Sequence, residues 1–179
     1  MKIQSIVRES IVDGPGLRYA VFLQGCSHHC AGCHNPQTHD PAGGNEISLR
    51  TLVEDLRRSI RENPLLDGVT LSGGEPMLQA KELLPFADVV HAAGLNLWLY
   101  TGYTLEEIAE TNDEAWNALL SKVDTLVDGR FDQNRRTLET PFVGSNNQRV
   151  SSSPVLYIHT ISFPEDRSII TSPAAAKAV

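Results

Sequence analysis

The sequence has few cysteines and no long apolar run. Its 179 residues include three cysteines, and 15 basic residues stand against 22 acidic ones, for a net charge of −7. Because phosphate binding needs a concentrated basic field, this balance argues against a partner that is a nucleic acid or a membrane surface. No run of about 18 apolar residues is present, so we expect no membrane-spanning helix. The opening residues, MKIQSIVRE, lack the apolar stretch of a secretory signal, so we expect a cytoplasmic protein.

The length is that of one domain. Domains commonly hold about 100–200 residues, so the chain has no room for two full-sized ones. A chain of this size buries roughly 70% of the surface that it exposes when unfolded, which allows a real core. The regular pattern weakens after Gly129. We therefore expect a main domain over residues 1–155 and a C-terminal extension over residues 156–179, with one more strand near residues 155–159 and a loose tail.

Strand and helix patterns alternate along the main domain. Apolar, aromatic and β-branched runs predict four strands, at residues 17–24, 68–71, 96–101 and 124–128. Helical patterns lie between them, at residues 48–62, 79–93 and 114–121, and Thr104 with Glu107 matches a capping box that opens a further short helix. Pro85 lies inside the second helical pattern, and its ring predicts either a break or a late start of that helix. Such alternation is typical of an α/β fold with a parallel sheet and crossover helices.

The three cysteines, Cys26, Cys30 and Cys33, form the pattern C-x3-C-x2-C on a loop after the first predicted strand. An odd number of cysteines this tightly spaced is a poor disulfide framework, and a reducing cytoplasm disfavours disulfides. Soft thiolates on one short loop suit an iron–sulfur cluster or zinc. Three thiolates on a four-iron cluster leave one iron without a protein ligand, as a catalytic metal site requires.

Two other interpretations of the cysteines stay open. A structural zinc site takes four ligands, so zinc would need a histidine of the loop, such as His28, His29 or His34. Three plain core cysteines are the simplest alternative, but core cysteines have no reason to share one loop with glycine and histidine. Analysis of iron and acid-labile sulfide separates the zinc interpretation from the cluster.

A second candidate segment, Ser72-Gly73-Gly74-Glu75, directly follows a predicted strand. Ligands of parallel sheets bind at the C-terminal ends of the strands. Glycines let the backbone approach a ligand closely, and Glu75 offers a carboxylate to an ammonium group. This sequence is also typical of an ordinary strand-to-helix turn. The presence of the cysteine loop in the same chain favours the ligand interpretation.

The cysteine loop resembles that of the radical S-adenosylmethionine superfamily. Within it, VDGPGLR at residues 12–18, FLQGC at 22–26 and CHN at 33–35 resemble the activases of glycyl radical enzymes. Three later segments resemble the branch that activates anaerobic ribonucleotide reductase: YTGY at residues 100–103, VDGRF at 127–131 and GSNNQR at 144–149. The resemblance covers residues 11–150.

The resemblance implies a partial (β/α) barrel with a mostly parallel sheet of about five or six strands. The chain is too short for the eight βα units of a full barrel. It implies a [4Fe–4S] cluster held by the three cysteines and S-adenosylmethionine bound at the open iron. The cosubstrate-binding residues that it implies are Ser72, Gly73, Gly74, Glu75, Thr101, Asp128 and His34.

Individual roles follow from the same resemblance. Glu75 and the residues before it would hold the methionine amino group. Asp128 would lie near the ribose or the carboxylate, through a bound cation, although Tyr100 stands where some activases carry an acid. Gly32 replaces the aromatic residue that many members stack on the adenine, so His34 is our candidate for that stacking.

The implied reaction is the activation of an anaerobic ribonucleoside-triphosphate reductase. A reduced cluster gives one electron to the sulfonium of S-adenosylmethionine, and the resulting 5′-deoxyadenosyl radical removes a hydrogen from one glycine of the partner. The implied electron donor is flavodoxin. The alternatives are an activase of another glycyl radical enzyme such as pyruvate formate-lyase, a radical enzyme acting on a small molecule, and a non-catalytic zinc module.

The remaining distinctive residues have plainer interpretations. We expect Arg18 and the pair Arg135-Arg136 to be surface or positioning charges. The histidines of the cysteine loop are as well explained as hydrogen-bonding or solvent-facing residues as by ligation. Arg149 lies in a loop, where binding residues concentrate, and is a candidate contact for the partner or the cosubstrate.

Overall fold

A single mixed sheet organises residues 1–154, the part of the chain that this computed structural model describes. Within that part the sheet has seven strands in the order β3-β1-β2-β4-β5-β6-β7. Their bounds are β1 Lys2–Ser10, β2 Leu17–Leu23, β3 Asn45–Glu46, β4 Leu66–Gly73, β5 Asn96–Thr101, β6 Thr125–Asp128 and β7 Arg149–Ser152. The four central strands β2, β4, β5 and β6 are parallel, and β1, β3 and β7 pair antiparallel at the two edges. The prediction of an α/β fold with a mostly parallel sheet is confirmed.

Four α-helices of the described residues lie between the strands. They are α1 Leu49–Glu62, α2 Ala80–Ala92, α3 Leu105–Thr111 and α4 Glu114–Leu120. Buried side chains of all four helices pack in one core with alternate residues of the parallel strands, such as Val21, Leu71 and Leu99. The helices therefore cover one face of the sheet, as right-handed crossovers to neighbouring parallel strands require in a barrel wall.

The helix boundaries follow from local chemistry. The Ser48 hydroxyl accepts a hydrogen bond from the Thr51 amide at the start of α1, and the capping box predicted at Thr104 and Glu107 is present at the start of α3. Pro85 does not break α2. It lies on the exposed face of the helix, where water can solvate the carbonyl that loses its intrahelical partner.

Three strands were not predicted from the sequence. Strand β1 pairs with β2 through two register shifts, so its apolar residues do not alternate with the regular period of two. Strands β3 and β7 are only two and four residues long and mostly polar. The strand and tail predicted beyond residue 154 lie outside the described residues, so the proposed domain boundary stays a prediction. Among residues 1–154, no helix has the length and apolar character to cross a membrane.

The face of the sheet away from the helices contains a buried arginine, which corrects the expectation that Arg18 is a surface or positioning charge. Arg18 has 0% exposure, and its guanidinium donates to the Thr70 hydroxyl at 3.0 Å, to the Asn96 side chain at 2.6 Å and to the Val69 carbonyl at 2.6 Å. Its guanidinium also lies 5.7 Å from the centre of the Trp98 ring. Burial lowers the pKa of Arg18 to about 10, so it stays charged at neutral pH.

Arg18 thus ties β2 to β4 and β5 at the end of the sheet remote from the cysteine loop. Replacing it with Met should lower the free energy of unfolding by about 3–5 kcal/mol, because buried acceptors lose their donors. Arg18→Lys should recover little of this, since one ammonium group cannot reach acceptors on two strands with the geometry of a planar fork. Chemical denaturation of the cluster-free protein measures both values. A Lys variant as stable as the original chain would contradict this account.

Candidate functional site

The predicted site residues meet at one edge of the sheet. In the registers of the parallel strands, Leu23 of β2 lies beside Gly73 of β4, and Thr101 of β5 lies beside Asp128 of β6. Each of these residues is the last of its strand. The cysteine loop and the loops after β4, β5 and β6 therefore extend from the C-terminal edge of the sheet, where parallel sheets bind ligands.

The cysteine loop, residues 24–44, is fixed at both of its ends. The Gly25 amide donates to the Thr38 carbonyl at 2.8 Å, and the Cys26 amide donates to the His39 carbonyl at 3.1 Å. The Gln24 side chain donates to two further carbonyls of the loop. His29 has a φ of +47°, which is uncommon outside glycine and marks a sharp turn between the first two cysteines. The loop has a defined path before any cofactor is considered.

The three thiols of the cysteine loop fit a four-iron cluster by their number and their softness. All three cysteines are free and half-buried on this loop, and burial raises the pKa of the Cys26 and Cys30 thiols. Within residues 1–154, no three His, Cys, Asp or Glu side chains lie close enough together to hold one metal ion. A structural zinc site takes four ligands. In a [4Fe–4S] cluster the three thiolates bind three different irons and stand apart, and ligation removes the proton of each thiol.

The Glu75 carboxylate is the centre of the hydrogen bonding at this edge. It has 0% exposure. One oxygen accepts from the Met77 amide at 3.0 Å and the Thr101 hydroxyl at 2.9 Å, and the other lies 2.8 Å from both the Gly102 amide and Nε2 of His28. These four bonds use the acceptor positions that a carboxylate offers. An ammonium group could reach Glu75 only by displacing one of them, so binding of the methionine amino group by Glu75 stays a prediction.

The glycines before Glu75 are needed by the chain itself. The Gly74 amide donates to the Leu23 carbonyl at 2.9 Å, and the Glu75 amide donates to the Gly25 carbonyl at 2.8 Å. A Cβ on Gly73 would overlap the backbone of β2, and a Cβ on Gly74 would overlap the backbone of Gly25. The close backbone approach predicted from these glycines is therefore an approach to β2 and to the base of the cysteine loop, and contact of this segment with a ligand stays a prediction.

Asp128 also has partners within the chain. It is 1% exposed, accepts from the Leu105 amide at 2.9 Å and pairs with the guanidinium of Arg149. Arg149 extends to Glu106 with two parallel bonds of 2.8 and 2.6 Å. The position where the resemblance implies a cation near Asp128 is thus next to a protein cation. Contact of Asp128 with the cosubstrate stays a prediction.

Among the predicted residues with polar side chains, His34 and Ser72 remain accessible. His34 is exposed and its ring lies 5.3 Å from the ring of Phe131, at an angle of 39°. Ser72 is half-buried at the end of β4. Their proposed contacts with the cosubstrate are untested by the geometry, but both side chains lie at the correct edge of the sheet.

The structure gives two residues a place in the site that the sequence does not assign. The sequence offers His28 as a hydrogen-bonding or solvent-facing loop residue or as a zinc ligand, without naming its partners, and it offers Arg130 only as a letter of the VDGRF segment. They contact each other across 102 residues of sequence. The signal that could have found them is the shared position of their segments, each of which directly follows a parallel strand of the same sheet.

Comparison with known proteins identifies the relatives of this chain. Residues 12–151 match the family described as 4Fe-4S single cluster domain. Two anaerobic ribonucleoside-triphosphate reductase-activating proteins, from Haemophilus influenzae and Vibrio cholerae, are 32% and 34% identical over 145 residues, which make up 77% of this chain and 89% of each relative. A pyruvate formate-lyase-activating enzyme from Clostridium pasteurianum is 39% identical over 120 residues, 63% of this chain and 49% of that protein. The reductase activators thus match over nearly their whole length, and the lyase activator over half of its own.

The role of Glu75 can be tested by Glu75→Gln. The amide would turn an N–H group toward partners that themselves donate, so we expect the free energy of unfolding of the cluster-free protein to fall by about 1.5–3 kcal/mol. If Glu75 serves only the ammonium group, stability will be unchanged and S-adenosylmethionine affinity alone will fall, by about one to two decades. Denaturation and anaerobic titration separate the two results, with the exposed Glu82→Gln as control.

The ion pair of Arg149 predicts a pH dependence. Hydrogen bonds from Arg149 hold the pKa of Glu106 at about 2, below its ordinary 4.5. A lowered pKa stabilises the fold above pH 4.5, and this contribution is lost as the pH falls toward 2. Because the pair is half-exposed, Glu106→Gln should cost only about 1 kcal/mol at pH 7. Denaturation from pH 7 to pH 3 should show this difference shrinking below pH 5, and a constant difference would contradict the pairing.

Proposed function

We propose that this chain, which belongs to the anaerobic ribonucleoside-triphosphate reductase-activating proteins and matches the 4Fe-4S single cluster domain family, generates a glycyl radical on the anaerobic ribonucleotide reductase of its own cell. The observation that carries the proposal is the set of three free thiols on one fixed loop at the C-terminal edge of a parallel sheet. Three ligands suit a four-iron cluster whose remaining iron is open to a substrate.

Cys26, Cys30 and Cys33 would hold the cluster. The chemistry that the cluster supplies when bound is one electron for the reductive cleavage of the C5′–S bond of S-adenosylmethionine. The chain's own part is to keep the thiols on a loop of fixed path and to place it beside the strand ends. Residues 72–75, with Thr101, Asp128 and His34, would form the surroundings of the cosubstrate.

The face of the sheet that no helix of the described residues covers is where we infer that a protein substrate approaches; loops cover this face instead. Helices of the described residues cover the opposite face. On the helix-free face Gly14 lies against the Trp98 ring, and the ring of Phe142 lies 5.6 Å from that of Trp98. Tyr100 lies on the same strand, half-buried and nearer the site. A face bounded by loops can admit a polypeptide segment that carries a glycine, and a closed barrel could not. Flavodoxin as the electron donor belongs to this proposal and rests on the family resemblance.

The lyase activator among the relatives makes pyruvate formate-lyase the second candidate substrate. The deciding experiment is electron paramagnetic resonance on anaerobic mixtures of the reconstituted protein, S-adenosylmethionine, a one-electron reductant and each partner in turn. We expect a glycyl doublet on the reductase. Cys30→Ala is the matched control and should lose both the cluster absorbance and the doublet.

A doublet on pyruvate formate-lyase and none on the reductase would overturn the substrate assignment. Zinc in place of iron and acid-labile sulfide after reconstitution would overturn the enzyme assignment itself.

A further inference from the structure

Between the first two cysteines of the loop, His28 turns inward. Its side chain is 5% exposed, whereas its neighbours Ser27 and His29 are exposed. The ring lies edge-on against Tyr103, with 4.4 Å between ring centres. It also fills the space beside Gly102, where a side-chain methyl group would overlap the imidazole. The loop after β5 is therefore shaped to receive this one side chain of the cysteine loop.

Both ring nitrogens of His28 have partners. Nε2 lies 2.8 Å from an oxygen of Glu75, and Nδ1 lies 3.2 Å from Nε of Arg130. An arginine N–H can only donate, so Nδ1 accepts and the ring proton is assigned to Nε2, which donates to Glu75. The ring thus connects the end of β4 with the segment after β6.

Arg130 belongs to a segment, residues 129–133, that lies against the cysteine loop and that we call the clamp segment. The Phe131 ring lies against His34. A Cβ on Gly32 would lie 2.9 Å from Oε1 of Gln133. The clamp segment therefore contacts the cysteine loop at three places, at His28 and on both sides of the third cysteine.

The clamp segment is itself held in place. Nδ2 of Asn147 donates to the Arg130 carbonyl at 2.7 Å, and Nε2 of Gln148 donates to the Gly129 carbonyl at 2.9 Å. The Arg130 guanidinium also bonds to Glu107 at 2.9 Å. These bonds give the VDGRF and GSNNQR segments a shared structural task beside the cysteine loop.

We propose that His28 is a positioning residue that, through Glu75 and Arg130, fixes the cysteine loop and with it the thiolates of Cys26 and Cys30. Contacts that orient a metal's ligands tune its affinity and its potential, so this bridge should set the electronic properties of the cluster. The inference rests on the proposed function only in taking these thiolates as cluster ligands. The fixing of the loop needs no cluster.

The first test is amide hydrogen exchange on the cluster-free full chain. His28→Ala and Arg130→Gln should speed exchange in residues 26–34 at least tenfold while leaving α2 and β5 unchanged. His28→Gln, whose amide can still donate to Glu75, should fall between His28→Ala and the original chain. The control is Arg135→Gln, which changes an exposed arginine whose side chain is outside these contacts.

The second test uses the reconstituted protein. His28→Ala and Arg130→Gln should bind iron and sulfide at the original ratio, yet shift the midpoint potential and the resonance spectrum of the reduced cluster, with His28→Gln partly restoring both. Arg130 is half-exposed, so its variant should fold even if His28→Ala does not.

Unchanged exchange in residues 26–34 of Arg130→Gln and His28→Gln, together with an unchanged cluster spectrum, would overturn the proposal. Since the exchange measurement involves neither cluster nor partner, its result is independent of whether a glycyl doublet forms.

Discussion

The buried carboxylate of Glu75 is the interaction on which the functional edge depends. A charged group with no exposure is costly unless hydrogen bonds replace its lost water, and here four donors do so. The donors come from the start of the turn that leads to α2, from the end of β5 and from the cysteine loop. One side chain thereby fixes the relative positions of three loops, which no single loop could establish alone.

The sheet topology makes this convergence possible. Parallel strands whose crossovers all lie on one face end at a common edge, so segments far apart in sequence emerge side by side. The contact between His28 and Arg130 spans 102 residues, and the salt bridge of Arg149 with Asp128 connects β7 to β6. Loops at this edge are held by side chains of other loops as well as by their own hydrogen bonds. The parallel strands form the C-terminal edge of the sheet, and hydrogen bonds and salt bridges of polar side chains hold the loops there.

The sequence predicts what is local and leaves out what is shared between distant segments. The cysteine spacing, the central strands and the capping box at Thr104 each depend on neighbouring residues and were predictable. The burial of Arg18 was not, because its acceptors lie on β4 and β5, about fifty to eighty residues away. A lone arginine in a strand pattern carries no sign of them. Strand β1 was not predicted because its register shifts remove the alternation of apolar and polar residues that identifies strands.

The hydrogen bonds that Glu75 and Asp128 make within the chain also bear on how a ligand is recognised. Glu75 and Asp128 are both buried and are both committed to groups of this chain, one to main-chain amides, a hydroxyl and an imidazole, the other to an amide and Arg149. Carboxylates so engaged act on a ligand mainly by placing other groups. We therefore expect direct contacts with the cosubstrate to come chiefly from accessible groups at the same edge, namely the main chain of residues 72–74, the Ser72 hydroxyl and the exposed ring of His34. On this view the acidic residues that stand out most in the sequence build the site, and less conspicuous groups occupy its surface.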